Sequence, residues 1–353
     1  MRSVSTLTLP EVQKLLDRDT TLLSYFVTPG KTLAFVVTRR SFRAIELAVK
    51  ETELTSSIKW FRGFASLRDS RPESLKQLYG WLIAPLSQYI KTRNVGIVPH
   101  GLLYYLPFAA LTDGQHYFGE QHSLFYLPSA SVLPFIQKKA KPVGDHILAV
   151  AQSQAQGLPV LQHADGEARA VASLYSTQAI TTREVSKSGF LKQAGDYSII
   201  HISAHAELNT LSPLFSRIVL GSDRKDKESG DALEVKDVYD LDLSKSSLVV
   251  LSACETQLGV QSKGDDIVGL NRAFIYAGAP TVIASLWTVD DESTSYLMKA
   301  FYTHLKIGMS KAEALAGSAI RRAQAVPASV LLGRVCPYRR SWKGSNEVMQ
   351  ALV

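Results

Sequence analysis

The chain has 353 residues, 46% of them hydrophobic and 20% charged, which allows two ordinary domains and a full core. Its net charge of +7 is mild over this length, and the basic groups at Arg39-Arg40-Arg43 and from Arg334 to Arg340 are too short for a nucleic-acid stripe. Two cysteines exclude a disulfide framework and fit a reducing cytoplasm, and no run reaches the roughly eighteen apolar residues of a membrane span.

In chain order, the opening MRSVSTLTLPEVQKLLDRD lacks the continuous apolar stretch of a secretory signal. TLLSYFVT, TLAFVVT and FRAIELAV read as strands joined by turns at Pro29-Gly30-Lys31 and Arg39-Arg40-Ser41, a meander of hairpins. PESLKQLYGWLIAPLSQYI predicts a helix with Leu75, Leu78, Leu82 and Leu86 near one face and a kink at Pro85. VGIVPHGLLYYLPFAALTDGQ adds a short strand, a turn and a proline-interrupted apolar segment. Together these make a smaller α+β region over residues 1–142.

The texture changes near residue 143. DHILAVAQ, YSIIHISA, SLVVLSAC and PTVIASLW are short apolar runs without polar alternation, as in strands buried on both faces. Helical stretches separate them: DGEARAVASLY, DIVGLNRAFIYAG and DESTSYLMKAFYTHLKIG. In the last, Leu297, Phe301 and Leu305 recur every four residues and Gly308 is a natural stop. Ser310 and Glu313 form a capping box for SKAEALAGSAIRRAQ. Alternating strands and helices predict an α/β core over 143–325, with a mainly parallel sheet flanked by helices. Ligands in such sheets bind beyond the carboxyl ends of the strands.

Two of those ends carry reactive side chains. SIIHISAH sets His201 inside the apolar run, where it reads as a hydrogen-bonded core histidine, and His205 at the strand exit. SLVVLSAC ends on Cys254, 49 residues after His205. A thiol beside an imidazole becomes a nucleophilic thiolate, and the same imidazole then protonates a leaving amine. A cysteine at the end of a buried strand also serves as an inert core residue. No G-x-S-x-G elbow, H-E-x-x-H motif or P-loop occurs, and the two histidines have no third zinc ligand at a recognisable spacing. No metal and no cofactor are expected.

IIHISAHAELN, LVVLSACETQLG and GLNRAFIYAGAPTVIASLWTVDDESTSYLM together resemble the CHAT family, bacterial relatives of caspases and separases. GIVPHGLLYYLPFAAL and YLPSASVL resemble the segment that leads into that domain, so the resemblance runs from about residue 10 to residue 325. It implies a caspase-like three-layer α/β fold and a cysteine endopeptidase with Cys254 as nucleophile and His205 as general base. Backbone N–H groups of Cys254 and Ala206 would hold the oxyanion; many such enzymes carry glycine where this chain has Ala206. SLWTVDDE resembles the separase stretch in which an aspartate faces a basic residue before the scissile bond. By that resemblance Asp291, with Asp290, holds a lysine or arginine side chain. Asp291 also reads as the N-cap of the following helix, with Glu292 in its first turn, and Asp265-Asp266 read as caps of another.

The tail over 326–353, VPASVLLGRVCPYRRSWKGSNEVMQALV, departs from the aromatic-rich closing strand of the family. It either lacks that strand, leaving a sheet edge open, or carries a substitute. Cys336, in this tail, has no partner motif. The resemblance implies a protein or peptide substrate and, since the family often carries helical repeats ahead of the protease domain and none are present here, a separate regulatory or sensor protein. No membrane and no direct nucleic-acid partner are expected, and the location is cytoplasmic. The competing reading is a caspase-like scaffold used for assembly, with its dyad unused.

Overall fold

The computed structural model describes residues 6–65, 72–182, 184–207, 209, 212–221, 232–252, 267–285, 291–325 and 349–352. Helix α1 (Leu9–Leu15) precedes β1 (Thr20–Val27), β2 (Thr32–Thr38) and β3 (Phe42–Leu47), which form the expected antiparallel meander. Then come α2 (Glu51–Ala65), α3 (Pro72–Leu82), β4 (Asn94–Val98), α4 (Phe118–Gln121), β5 (Ser123–Tyr126) and α5 (Leu133–Lys139). The helix predicted to kink at Pro85 instead ends at Leu82. The proline stands near the start of a separate 3-10 segment, Ala84–Tyr89, because it has no N–H to continue an α-helical ladder.

The second half alternates as predicted, through β6 (Ile147–Gln152), α6 (Ala164–Leu174), β7 (Ile180–Thr181), α7 (Lys187–Gln193) and β8 (Ile199–Ala204). Short strands β9 (Ala206–Glu207), β10 (Arg217–Val219) and β11 (Ala232–Glu234) form a small antiparallel sheet. The chain continues through α8 (Val235–Tyr239), β12 (Leu248–Ser252), α9 (Ile267–Ala277), β13 (Val282–Ser285), α10 (Asp291–Lys306), α11 (Lys311–Ala325) and β14 (Met349–Leu352).

Among the described residues one 11-stranded sheet runs through both regions in the order β3-β2-β1-β4-β5-β14-β13-β12-β8-β6-β7. Strands β6, β8, β12 and β13 pair in parallel. The tail does return a strand: β14 pairs antiparallel with β13 and meets β5 through Leu352 and Tyr126. Ladder pairing is a backbone property, so MQAL closes the sheet without an aromatic signature.

Alternate residues of the parallel strands bury against opposite helix layers. Ile200, Ile202, Val249, Leu251 and Val282 pack toward α8 and α9, while Ile199, Leu248, Val250 and Ile283 pack toward α10 and α11. Apolar character on both faces explains the unbroken hydrophobic runs of these strands. Gly278 closes α9 at φ +130, and a Cβ there would come within 2.7 Å of the Leu243 carbonyl carbon and the Ser244 nitrogen. Only glycine lets the chain turn so closely into β13.

At the N-terminal edge of the sheet, Lys311 donates from Nζ to the Ser247 carbonyl at 2.7 Å and to Thr281 Oγ1 at 2.9 Å. Burial pushes its pKa down to about 8 from the ordinary 10.5. Between those values the unfolded chain holds more protons at this site than the folded chain, so this residue makes stability rise with pH across that window. Urea midpoints measured from pH 7.5 to 10.5 should therefore climb less steeply in Lys311→Met than in the parent.

Candidate functional site

His205 directly follows β8, at the carboxyl edge of the sheet, and is 1% exposed. Its Nε2 lies 2.7 Å from the carbonyl oxygen of Pro159, in the loop between β6 and α6. A carbonyl can only accept, so Nε2 carries a hydrogen, and in the neutral form of the ring the lone pair is on Nδ1. Ala206 opens β9 and is buried against the α8–α9 side. Among the described residues Ser176 is the one non-glycine with positive φ, so alanine at 206 occupies backbone space that any L-residue adopts.

The register of the sheet relates this histidine to the cysteine strand. Ser203 of β8 pairs with Ser252 of β12, and each serine stands two positions before a predicted catalytic residue, His205 or Cys254. Alternation puts Ser203, Ser252 and Ser285 on the α6–α10 side of the sheet. All three are buried, and none of their hydroxyls has a hydrogen-bond partner among the described residues. Cys254 and Asp290 lie outside the described residues, as do Trp287, Val289, Asp265, Asp266 and Cys336.

Asp291 is the first residue of α10 rather than its N-cap. Its Oδ2 accepts a 2.6 Å hydrogen bond from the backbone N–H of His163, immediately before α6. The carboxylate thus joins the starts of two neighbouring helices, where the helix dipole favours negative charge. At the same end of α6, Asp165 accepts from Thr182 Oγ1 at 3.1 Å, and Thr182 Oγ1 lies 2.6 Å from Ser153 Oγ. The loop over the carboxyl edge is held at several points.

His201 is a core histidine with polar contacts. Its Nε2 lies 3.0 Å from Glu167 Oε1, with the side chains 0% and 1% exposed. Its Nδ1 lies 3.2 Å from the Tyr302 hydroxyl. Burial holds the Tyr302 phenol protonated, well above its ordinary range. These three residues connect α6, β8 and α10 in a layer otherwise filled by Tyr175, Leu297, Met298 and Phe301.

Sequence reasoning missed Pro159, His163, Glu167 and Tyr302 as neighbours of the site. The repeated Ser-Ala before His205 and Cys254 was a legible signal of equivalent strand positions. Among the described residues no cluster of three histidine, cysteine or acidic side chains is arranged for a metal, and no helix is long and apolar enough to cross a membrane.

A family model described as the CHAT domain matches residues 72–328. Tetratricopeptide repeat protein 28 of Homo sapiens is 26% identical over 305 residues, covering 71% of this chain and 12% of that protein; its Mus musculus counterpart is 27% identical over 304 residues. The chain thus spans about an eighth of the length of these relatives. Two structures of the Saccharomyces cerevisiae separase–securin complex align with TM-scores of 0.59 and 0.55 at 9% and 10% identity, covering 87% and 97% of this chain. They cover 29% and 30% of those chains. At this identity the likeness shows the fold, a caspase-like α/β sheet between helix layers.

The link between the two helix starts generates a test. Asp291→Ala removes the acceptor of the His163 N–H and should lower unfolding free energy by about 1–2 kcal/mol in urea titrations. Asp291→Asn keeps an oxygen at that position and should recover most of the loss.

Proposed function

The chain belongs to the CHAT domain family, and from that premise we propose that it is a cysteine endopeptidase with Cys254 as nucleophile and His205 as general base. The observation that carries this reading is the His205–Pro159 bond at the carboxyl edge of a parallel sheet, on the strand paired in register with the one that leads to Cys254.

In this mechanism Nδ1 of His205 takes the proton of the Cys254 thiol, and the thiolate attacks the scissile carbonyl carbon. The Pro159 carbonyl holds Nε2–H and favours the imidazolium that forms. Backbone N–H groups of Cys254 and Ala206 stabilise the oxyanion of the tetrahedral intermediate. The proton on Nδ1 then passes to the leaving amine as the C–N bond breaks, leaving a thioester. Water, deprotonated by the same nitrogen, hydrolyses that thioester and restores the thiol.

The substrate is a protein or peptide cut after lysine or arginine, with Asp291 and Asp290 facing the basic side chain. One oxygen of Asp291 serves the His163 amide, which does not remove the negative charge that a basic group needs. The curated relatives are tetratricopeptide repeat proteins, which supports regulation through helical repeats, in the cytoplasm. A second reading, a scaffold with its dyad unused, is favoured by the burial of His205 to 1% exposure.

Iodoacetamide separates the two readings. A peptidase dyad should make Cys254 react at neutral pH at least about tenfold faster than a model thiol, and His205→Ala should abolish that excess. Labelling at the model-thiol rate favours the scaffold. On a peptide library Cys254→Ala should lose all cleavage at unchanged melting temperature; substantial activity in that variant refutes the nucleophile. Asp291→Asn should cut kcat/KM after Lys or Arg at least about tenfold, since the charge is lost while the helix link is kept. Unchanged selectivity would leave Asp291 a structural role and no part in substrate recognition.

A further inference from the structure

Glu167, His201 and Tyr302 have no part in the chemistry above, yet they put a carboxylate and an imidazole at 1% and 0% exposure inside an apolar layer. Taking such groups out of water is costly, and replacing them with apolar residues of similar volume is often neutral or stabilising. Stability alone therefore does not explain the arrangement. What it supplies is direction. Apolar contacts between a helix and a sheet let the helix slide or rotate at small cost, whereas the 3.2 Å hydrogen bond between His201 and Tyr302 is lost on such movement, and the 3.0 Å Glu167–His201 approach, close but not aligned as a hydrogen bond, weakens as the two separate.

Each of the three residues stands on an element that also carries a group of the candidate site. Glu167 is in the first turn of α6, directly after the loop with Pro159 and His163. His201 lies four positions before His205, on the strand that delivers it. Tyr302 is on α10, which begins with Asp291. The edge-on packing of Tyr175 on Tyr302, with centroids 6.0 Å apart, seats the phenol against the opposite end of α6.

We propose that Glu167, His201 and Tyr302 are positioning residues that set the register of α6, β8 and α10 against one another. Through that register they keep the Pro159 carbonyl on His205 Nε2 and Asp291 on the His163 amide. They touch no reacting atom. Their loss displaces the base and its tautomer while leaving the packed layer intact.

The test is the triple variant Glu167→Met, His201→Leu, Tyr302→Phe in the full chain. It should melt at or above the parent temperature, because the apolar set avoids the desolvation cost. Its kcat on a cleaved peptide should fall at least about tenfold with KM changed less than about threefold, as expected for a misplaced catalytic group. Nitrogen-15 spectra of His205 should show one Nε2-protonated tautomer in the parent and a tautomer mixture in the variant. Parent-like kcat with an unchanged tautomer overturns the proposal. Should the triple variant not fold, Tyr302→Phe alone removes only the hydroxyl. It should melt like the parent while its kcat falls about threefold and the His205 signals shift, and no change in either overturns the proposal. The kcat measurement rests on the peptidase reading; the tautomer measurement does not. A parent chain that cleaves nothing counts against that reading, and the His205 spectra then decide the positioning role.

Discussion

A proline carbonyl that can only accept a hydrogen bond stands 2.7 Å from His205 Nε2, and the candidate site depends on that constraint. It assigns the ring hydrogen, aims Nδ1 away from the β6–α6 loop and ties the strand exit to a second element. A histidine at the end of a strand can rotate about χ1 and χ2, and a fixed acceptor at one nitrogen restricts both the rotamer and the tautomer. The bond works only if Pro159 stays in place, so the rest of the carboxyl edge bears on it.

The loop that presents Pro159 is fastened on both sides. Ser153, Thr182 and Asp165 hold its entrance and the first turn of α6 to the β6–β7 edge. Asp291 holds its exit to the start of α10. One turn further along, Glu167 reaches His201 beneath the sheet edge. These fastenings run from the exposed Asp291–His163 bond to the fully buried Glu167–His201 contact, and buried polarity of the latter kind specifies geometry more than it adds stability. The three serine hydroxyls across β8, β12 and β13 that have no partner among the described residues stand beside this network.

The two ends of the sheet differ in character. At the amino edge a lysine serves a carbonyl and a hydroxyl with its pKa depressed by burial. At the carboxyl edge acidic groups gather around the starts of α6 and α10, where helix dipoles favour them. The same polarity follows from parallel topology, which places helix N-termini at the carboxyl ends of strands.

Much of this was legible in the sequence. Apolar runs without alternation announced strands buried on both faces, and their helical spacers announced a parallel sheet, because period and burial are local consequences of residue order. His201 inside its run and His205 at the exit were distinguishable for the same reason. The resemblance of SACET and AGAPTVIASLWTVDDE to the CHAT family supplied the expected chemistry. What only the tertiary structure decided were the meetings of distant segments. Pro159 with His205, His163 with Asp291, and Glu167 with His201 and Tyr302 are separated by tens of residues or more. So is the pairing of MQAL with β13. Such contacts are set by how layers stack and strands register, and neither leaves a periodic trace in the order of amino acids.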